Sequence, residues 1–423
     1  MKIFYLAGVD TSNFRSGMAV HVVETAHAMA QMENQVCLYA PQSEACIMSS
    51  QAFQSVSVPT VKRGDRLKLA RRFLHDLKSQ RPDIVYFRCN TSLIPAILRA
   101  RRLGIPYVIE LNGIGRYQST SWRRHFAEWL TGRACRKALC CITVTPEIRD
   151  FVVRAYHVPK ERVHCVRSGV NPETYKPYSS QEALTPPEKG PTIGYMGGLS
   201  TRAGLEIAVE TMAIVRKQIP HVRLLLAGEG NLGPQLREQV RLLGLEEQVL
   251  FVGAIPYADS ARFVAGCDVM LVPFRDDRIN RLVGASPMKF FCYLACAKPI
   301  VTSDLPFLKW FQESGAVAFA RSNDAQSLAE AICKILGWSP EERQAMGQKG
   351  RQFALKGYTW QVLAARKLGI IQERLAAPRY PGATKRFPSY VGTDEPEDLA
   401  RMKNRWYGIS HGRYVLSAFP AVR

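Results

Sequence analysis

Apolar and polar positions fall into two alternating runs separated by a polar interruption. The first run opens on "KIFYLAG" (2–8), an apolar block of strand length. "GMAVHVVETAHAMAQ" (17–31) follows, with apolar residues at helical spacing. "QVCLYAP" (35–41), "DIVYFRC" (83–89), "PYVIELNG" (106–113) and "CITVTPE" (141–147) are further strand-length blocks, and "TSLIPAILRARRLG" (91–104) is a helix between two of them. The stretch 171–191, "NPETYKPYSSQEALTPPEKGP", is rich in Pro, Ser and Glu and reads as an interdomain linker. The alternation then restarts. "TIGYMGG", "VRLLLAGEG", "VLFVGAI", "DVMLVPF" and "PIVTS" are strands, with "GLEIAVETMAIVRKQ", "GPQLREQVRLLG", "ADSARFVAGC" and "SPMKFFCYLACA" as helices between them. Residues 340–377 read as two further helices. The tail 378–423 has no clear period beyond one short helix in "DEPEDLARMKNRWYGI".

Repeated strand–helix alternation predicts parallel, doubly wound sheets. The expected fold class is α/β, with two Rossmann-like domains in series at 1–178 and 190–355, a helical segment at 356–377 and a tail at 378–423. The dinucleotide fingerprint G-x-G-x-x-G is absent. Ligands of such sheets bind at the carboxyl ends of strands, so the expected site is the cleft between the domains.

Composition narrows the function. At 423 residues with 47% hydrophobic content, the chain can build two large cores. No apolar run approaches the ~20 residues that span a bilayer, and the N-terminus has no evident export signal. Eleven cysteines without export point to reduced thiols in the cytoplasm. Their spacings, and those of the histidines, match no zinc pattern, so no metal is expected. The formal net charge is +21, and 62–137 alone holds 18 Lys and Arg against 5 Asp and Glu. This points to a polyanionic partner: a membrane surface, a diphosphate-containing acceptor or a nucleic acid. The absence of any nucleic-acid-binding motif argues against the last.

The most informative stretch is "GASPMKFFCYLACAKPIVTSDLP" (284–306). Ser286 and Pro287 suit the N-cap and first turn of a helix whose body is apolar nearly all round. Such a buried helix start offers free backbone N–H groups and a positive dipole end to a phosphate. Lys289 in the first turn opposes the dipole, which an anion in front of the helix would reconcile. Gly197 and Gly198 follow the strand "TIGYM", where bare N–H groups can form an anion nest.

"SPMKFFCYLACAKPIVTSDLP" resembles the Ser-Pro-Leu-Lys, Glu-Tyr-Met-Ala, Gly-Lys-Pro segment of a branch of glycosyltransferase family 4, the retaining GT-B glycosyltransferases. The preceding stretch 224–274 is similar as well. Further upstream, "RPDIVYFRCN", "IPYVIELNG", the stretch 144–177 and "YTW" follow in family order, so the resemblance spans roughly residues 1–375. It implies a GT-B fold with the acceptor on the N-terminal domain, a nucleotide-sugar on the C-terminal domain, and a last helix crossing back after Tyr358. It implies a nucleotide-sugar donor and a lipid-linked or glycan acceptor as partners, with no cofactor and no metal. Carried over residue by residue, Glu110 and Lys289 fall in the catalytic set. Gly197, Gly198, Arg202, Glu229, Ser286, Pro287, Met288, Lys289 and Cys292 fall on the donor side. Ser16, Gly17 and Asn112 fall on the acceptor side.

Two departures stand out. The family commonly has glutamates where this chain has Gly284 and Cys292, and the second of these binds the ribose hydroxyls. A thiol cannot take that bidentate role. A family lysine is replaced by Ala203, and "RSGV" has Ser168-Gly169 in place of Asn-Gly. One reading is an active transferase with a rearranged donor site, with Arg202, Arg278, Arg281 and Lys289 as compensating cations. The alternative is a degenerate GT-B protein that binds and does not transfer. A sugar-nucleotide epimerase of the same architecture is a third class.

"SWRRHFAEWLTGRACRK" (121–137) places Trp122, Phe126, Trp129 and Leu130 in an apolar helical stripe flanked by Arg123, Arg124, Arg133, Arg136 and Lys137. With "KRGDRLKLARR" (62–72), this predicts a peripheral position at the inner face of an anionic membrane.

Overall fold

The computed structural model describes residues 1–11, 16–42, 54–59, 65–114, 122–184 and 190–377. The expected tail helix lies outside them. The N-terminal sheet has seven parallel strands: β1 (Lys2–Ala7), β2 (Gln35–Gln42), β3 (Gln54–Pro59), β4 (Ile84–Arg88), β5 (Tyr107–Leu111), β6 (Cys140–Thr143) and β7 (Val163–Cys165), in the order β3-β2-β1-β4-β5-β6-β7. Its helices are α1 (Gly17–Gln31), α2 (Asp65–Gln80), α3 (Ile94–Arg102), α4 (Trp122–Lys137) and α5 (Pro146–Tyr156). The C-terminal sheet has six parallel strands: β8 (Thr192–Met196), β9 (Arg223–Ala227), β10 (Val249–Gly253), β11 (Val269–Val272), β12 (Ile300–Ser303) and β13 (Val317–Ala320), in the order β10-β9-β8-β11-β12-β13. Around it lie α6 (Leu205–Gln218), α7 (Gly233–Leu242), α8 (Ser260–Ala265), α9 (Arg278–Val283), α10 (Met288–Ala295), α11 (Ala325–Leu336) and α12 (Pro340–Gly357). The last helix, α13 (Trp360–Ala376), leaves this domain.

Each sheet is covered on both faces, which is why its interior strands read as unbroken apolar blocks. Along β5 the side chains alternate. Tyr107, Ile109 and Leu111 join the cluster with Phe73 and Ile97, while Val108 joins the one with Tyr5, Val22 and Trp360. In each sheet the strand order reverses once, between β1 and β4 and between β8 and β11. These switch points open crevices at the strands' carboxyl ends.

The two domains are joined twice, side by side. Val170 pairs in parallel with Thr359. The Val170 N–H donates to the Tyr358 carbonyl at 2.9 Å, and the Trp360 N–H donates to the Val170 carbonyl at 3.1 Å. From there α13 packs on α1 and buries Trp360, Leu363, Ala364 and Ile371 in the N-terminal core. The beginning of the stretch read as a linker is anchored. Tyr175 is buried, and Asn171 bonds Glu24 of α1. No described helix is long and apolar enough to cross a membrane, and the described cysteines are all free thiols.

Candidate active site

Two helix starts and a glycine loop meet between the domains. The α1 start is capped by Ser16, whose Oγ accepts from the Met18 N–H at 3.3 Å. The exposed Gly17 follows, and a side chain there would first meet Met288 Sδ at 3.7 Å. Ser16 and Gly17 of one domain therefore face the α10 start of the other.

That α10 start differs from the expectation. The helix begins at Met288, Pro287 occupies the cap position, and no side chain caps it. Ser286 is turned away. Its Oγ accepts from the Ser168 N–H at 2.9 Å and ties the domains together. A tertiary contact has taken the residue whose local preference was for capping, so the first N–H groups of α10 have no side-chain cap.

Lys289, in the first turn, folds back over the loop after β8. Its ammonium donates to Tyr195 Oη at 2.8 Å and stands 4.0 Å above the Tyr195 ring. Gly197 has φ +145°, and a Cβ there would lie 2.7 Å from Lys289 Nζ, so only glycine admits this approach. Burial pushes the lysine down to about 7, with no carboxylate among its causes to hold it up. Gly198 is exposed beside it, and its carbonyl accepts from Tyr195 Oη at 2.9 Å.

The remaining candidates separate. Glu229 is exposed, and its backbone carbonyl accepts from the Leu199 N–H at 3.0 Å. Arg202 is held by Asn280 Oδ1 through two nitrogens at 3.0 and 2.6 Å, and burial lowers its pKa. Arg281 is paired with Asp276. Cys292 is buried within the C-terminal core at 4% exposure. Burial pushes its thiol up to about 12, and Tyr175 and the charge of Glu24 act on it. The expected ribose position is thus walled by Tyr175, which stacks edge-on against Tyr257, whose Oη donates to Glu24.

Glu110 requires a correction. It was expected at the cleft, but strand alternation points it into the face shared by α1 and α13, where it has no exposure. Its carboxylate accepts from His21 Nε2 at 2.5 Å, Tyr86 Oη at 2.8 Å and Lys367 Nζ at 3.3 Å. Burial alone would raise Glu110, yet the hydrogen bond from His21 and the charges of Lys367 and Arg88 outweigh it and hold it well below the carboxylate range. Burial drops His21 to about 4, so the ring is neutral and donates its Nε2–H to a Glu110–Lys367 ion pair. Asn112 belongs to this hub too, its Nδ2 donating to Glu110 at 3.4 Å. Through Lys367 the hub ties α13 to the N-terminal sheet.

The expected stripe on α4 splits. Phe126 and Trp129 are exposed and stacked at 5.8 Å, with Arg133 beside the Trp129 ring. Leu130 turns inward against the core. The side chains of Trp122, Arg123 and Arg124 lie outside the described residues.

Two parallel switch-point domains facing each other form the GT-B fold. Residues 15–174 match Glycosyltransferase Family 4, and residues 190–337 match Glycosyl transferases group 1. The chain is a glycosyltransferase of GT-B fold and family 4-like type. It is 20% identical to the alpha-D-kanosaminyltransferase of Streptomyces kanamyceticus over 65% of this chain and 72% of that one. It is 23% identical to a GDP-mannose-dependent alpha-(1-6)-phosphatidylinositol monomannoside mannosyltransferase of Mycolicibacterium smegmatis, over 60% and 69% respectively. Its fold matches sucrose-phosphate synthase from Thermosynechococcus elongatus with a TM-score of 0.73 at 18% identity, over 89% of this chain and all of that one.

Proposed function

We propose that the enzyme transfers a hexosyl group from a nucleotide-sugar to a lipid-linked or glycan acceptor with retention, in polysaccharide or glycolipid biosynthesis. The carrying observation is the meeting of the uncapped α10 start, Lys289 and the Gly197–Gly198 loop opposite Gly17. The uncapped N–H groups of the α10 start and one ammonium meet there, as a departing diphosphate requires, while the Gly197 N–H is bonded to the Ala227 carbonyl at 2.9 Å. In this reading the glycosidic bond to the diphosphate breaks and the negative charge is taken up by Lys289 and the helix start. The leaving phosphate oxygen receives the proton of the acceptor hydroxyl, on the same sugar face as the new bond. The scheme invokes neither a metal nor a cofactor. The Mycolicibacterium relative's GDP-mannose dependence and its phosphatidylinositol-linked acceptor support this class of donor and acceptor.

The exposed Phe126–Trp129 pair beside Arg133, together with the exposed Arg66, Lys68, Arg71 and Arg72 of α2, supports docking on the cytoplasmic face of an anionic membrane. The burial of Cys292 and the glycine at 284 favour a second reading, a binding protein that no longer transfers. A thermal-shift screen with UDP-, GDP- and ADP-sugars, followed by product analysis with and without acceptor, separates these readings. Stabilisation with transfer and a retained anomeric configuration is the expected result. Stabilisation without turnover would favour the binding protein, and turnover without acceptor an epimerase.

A further inference from the structure

Two glutamates of the N-terminal domain reach the domain boundary, and they are satisfied differently. Glu24 accepts hydrogen bonds from Asn171 and from Tyr257. Glu147 lies in the first turn of α5, just after the Thr145 cap, where an acidic side chain ordinarily extends into water near the helix dipole. Here its Oε2 is buried and has no hydrogen-bond partner among the described residues. That oxygen stands 3.1 Å from the point where a Cβ on residue 284 would sit.

Residue 284 cannot itself carry a side chain. Gly284 has φ +61° and ψ −168°, a combination essentially confined to glycine, and Phe307 Cβ would lie 2.9 Å from an added Cβ. The space in front of this glycine is occupied by a carboxylate from the opposite domain. Two aromatic rings connect this contact to Lys289. The Phe307 ring is 5.6 Å from Phe274, whose ring is 6.0 Å from the Lys289 ammonium. One wall thus carries a cation at one end and an unpartnered carboxylate oxygen at the other.

We propose that Glu147 binds the hydroxyl groups of the donor's hexosyl unit, supplied across the cleft by the acceptor-side domain where residue 284 has no side chain. The inference rests on the reading of this cleft as a nucleotide-sugar site. An ionised carboxylate is an acceptor only, and sugar hydroxyls are the donors it lacks. Because Glu147 and Lys289 belong to different domains, the donor is held by both, its sugar by Glu147 and its diphosphate by Lys289 and the α10 start.

The test is calorimetric titration of the full chain and of its E147Q and E147A variants. The probes are UDP, GDP and ADP, each paired with UDP-glucose, GDP-mannose or ADP-glucose. For the pair that wild type binds best, both variants are expected to weaken the sugar nucleotide about ten-fold and to leave the bare diphosphate within roughly two-fold. The isosteric E147Q preserves the packing against Gly284, and melting by circular dichroism verifies that both variants fold. Equal weakening of both probes would make Glu147 a structural contact and overturn the inference. So would undiminished sugar-nucleotide binding in both variants while wild type binds both probes. If wild type binds neither kind of probe, the nucleotide-sugar reading itself fails and takes this inference with it.

Discussion

Replacing Glu110 with alanine is expected to loosen α13 from the N-terminal domain rather than to remove a catalytic group. Glu110 has no exposure, and Lys367, its partner at 3.3 Å, is 1% exposed. The substitution strands a buried ammonium and deprives His21 and Tyr86 of their acceptor. Breaking a buried pair from one side costs about 3–5 kcal/mol. For a domain of this size that lowers the melting temperature by about 10 °C. Glu110→Leu combined with Lys367→Met removes both charges and should recover most of the loss, with a coupling of about 2 kcal/mol in the double-mutant cycle. The pH sign follows from the depressed carboxylate. Its stabilisation is present above the ordinary value of 4.5 and is lost as pH falls through the lower folded value. His21, lowered from 6.5 to about 4, adds a contribution that drains over that interval as pH falls. Thermal melts of Glu110→Ala, of the double variant and of its two single parents between pH 4 and 8, alongside transfer assays, make the comparison. A Glu110→Ala protein that melts like wild type yet transfers nothing would refute the assignment and return Glu110 to the chemistry.

Three further outcomes can be measured. Lys289, pushed down to about 7, should regain its proton when a diphosphate binds, so UDP affinity should fall as pH rises above 7. Lys289→Ala should weaken UDP about ten-fold and flatten that profile, and titrations in buffers of different ionisation heat read the proton uptake directly. Cys292→Glu places a carboxylate in a site 4% exposed, near the charge of Glu24, and should destabilise the chain by about 3 kcal/mol; an unchanged urea midpoint would show that position to be open to solvent. Serine at both Phe126 and Trp129, or Arg133→Glu, should reduce co-sedimentation with phosphatidylglycerol-containing vesicles, by about five-fold for the charge reversal. Undiminished binding would detach α4 from the membrane reading.

The interior strands were legible because both of their faces are covered, so they appear as apolar blocks such as "KIFYLAG" and "VRLLLAGEG". Of the edge strands, β10 was legible as "VLFVGAI" and the other three were not. β3 alternates Gln, Ser and Val, β7 has three residues and β13 four, too little pattern to separate from loop. Helix α2 registered only as positive charge. At the site, the positions of the glycine loop and Lys289 could be read because each is set locally, by one strand end and one helix start. Ser286 could not, because its partner Ser168 lies in the other domain. Glu110 was correctly put at a strand end, but its direction depends on strand parity and on Lys367, which arrives 257 residues later. Glu147 was missed for the same reason. Its signal, an acid two residues after a capping Thr, is that of any helix, and only the opposing Gly284 gives it meaning.

The side-by-side pairing of Val170 with Thr359 sets an order on the birth of the molecule. Seven strands of the N-terminal domain leave the ribosome first, but the helix that covers one face of their sheet is encoded after the entire second domain. At about 5–20 residues per second, the intervening chain takes roughly ten to forty seconds to make. Throughout that interval Tyr5, Val22 and Ile142 lack the cover of Trp360 and Leu363, and Glu110 lacks its lysine. The first domain to be synthesised is therefore the last to be finished. Its core is closed by a helix made only after the second domain.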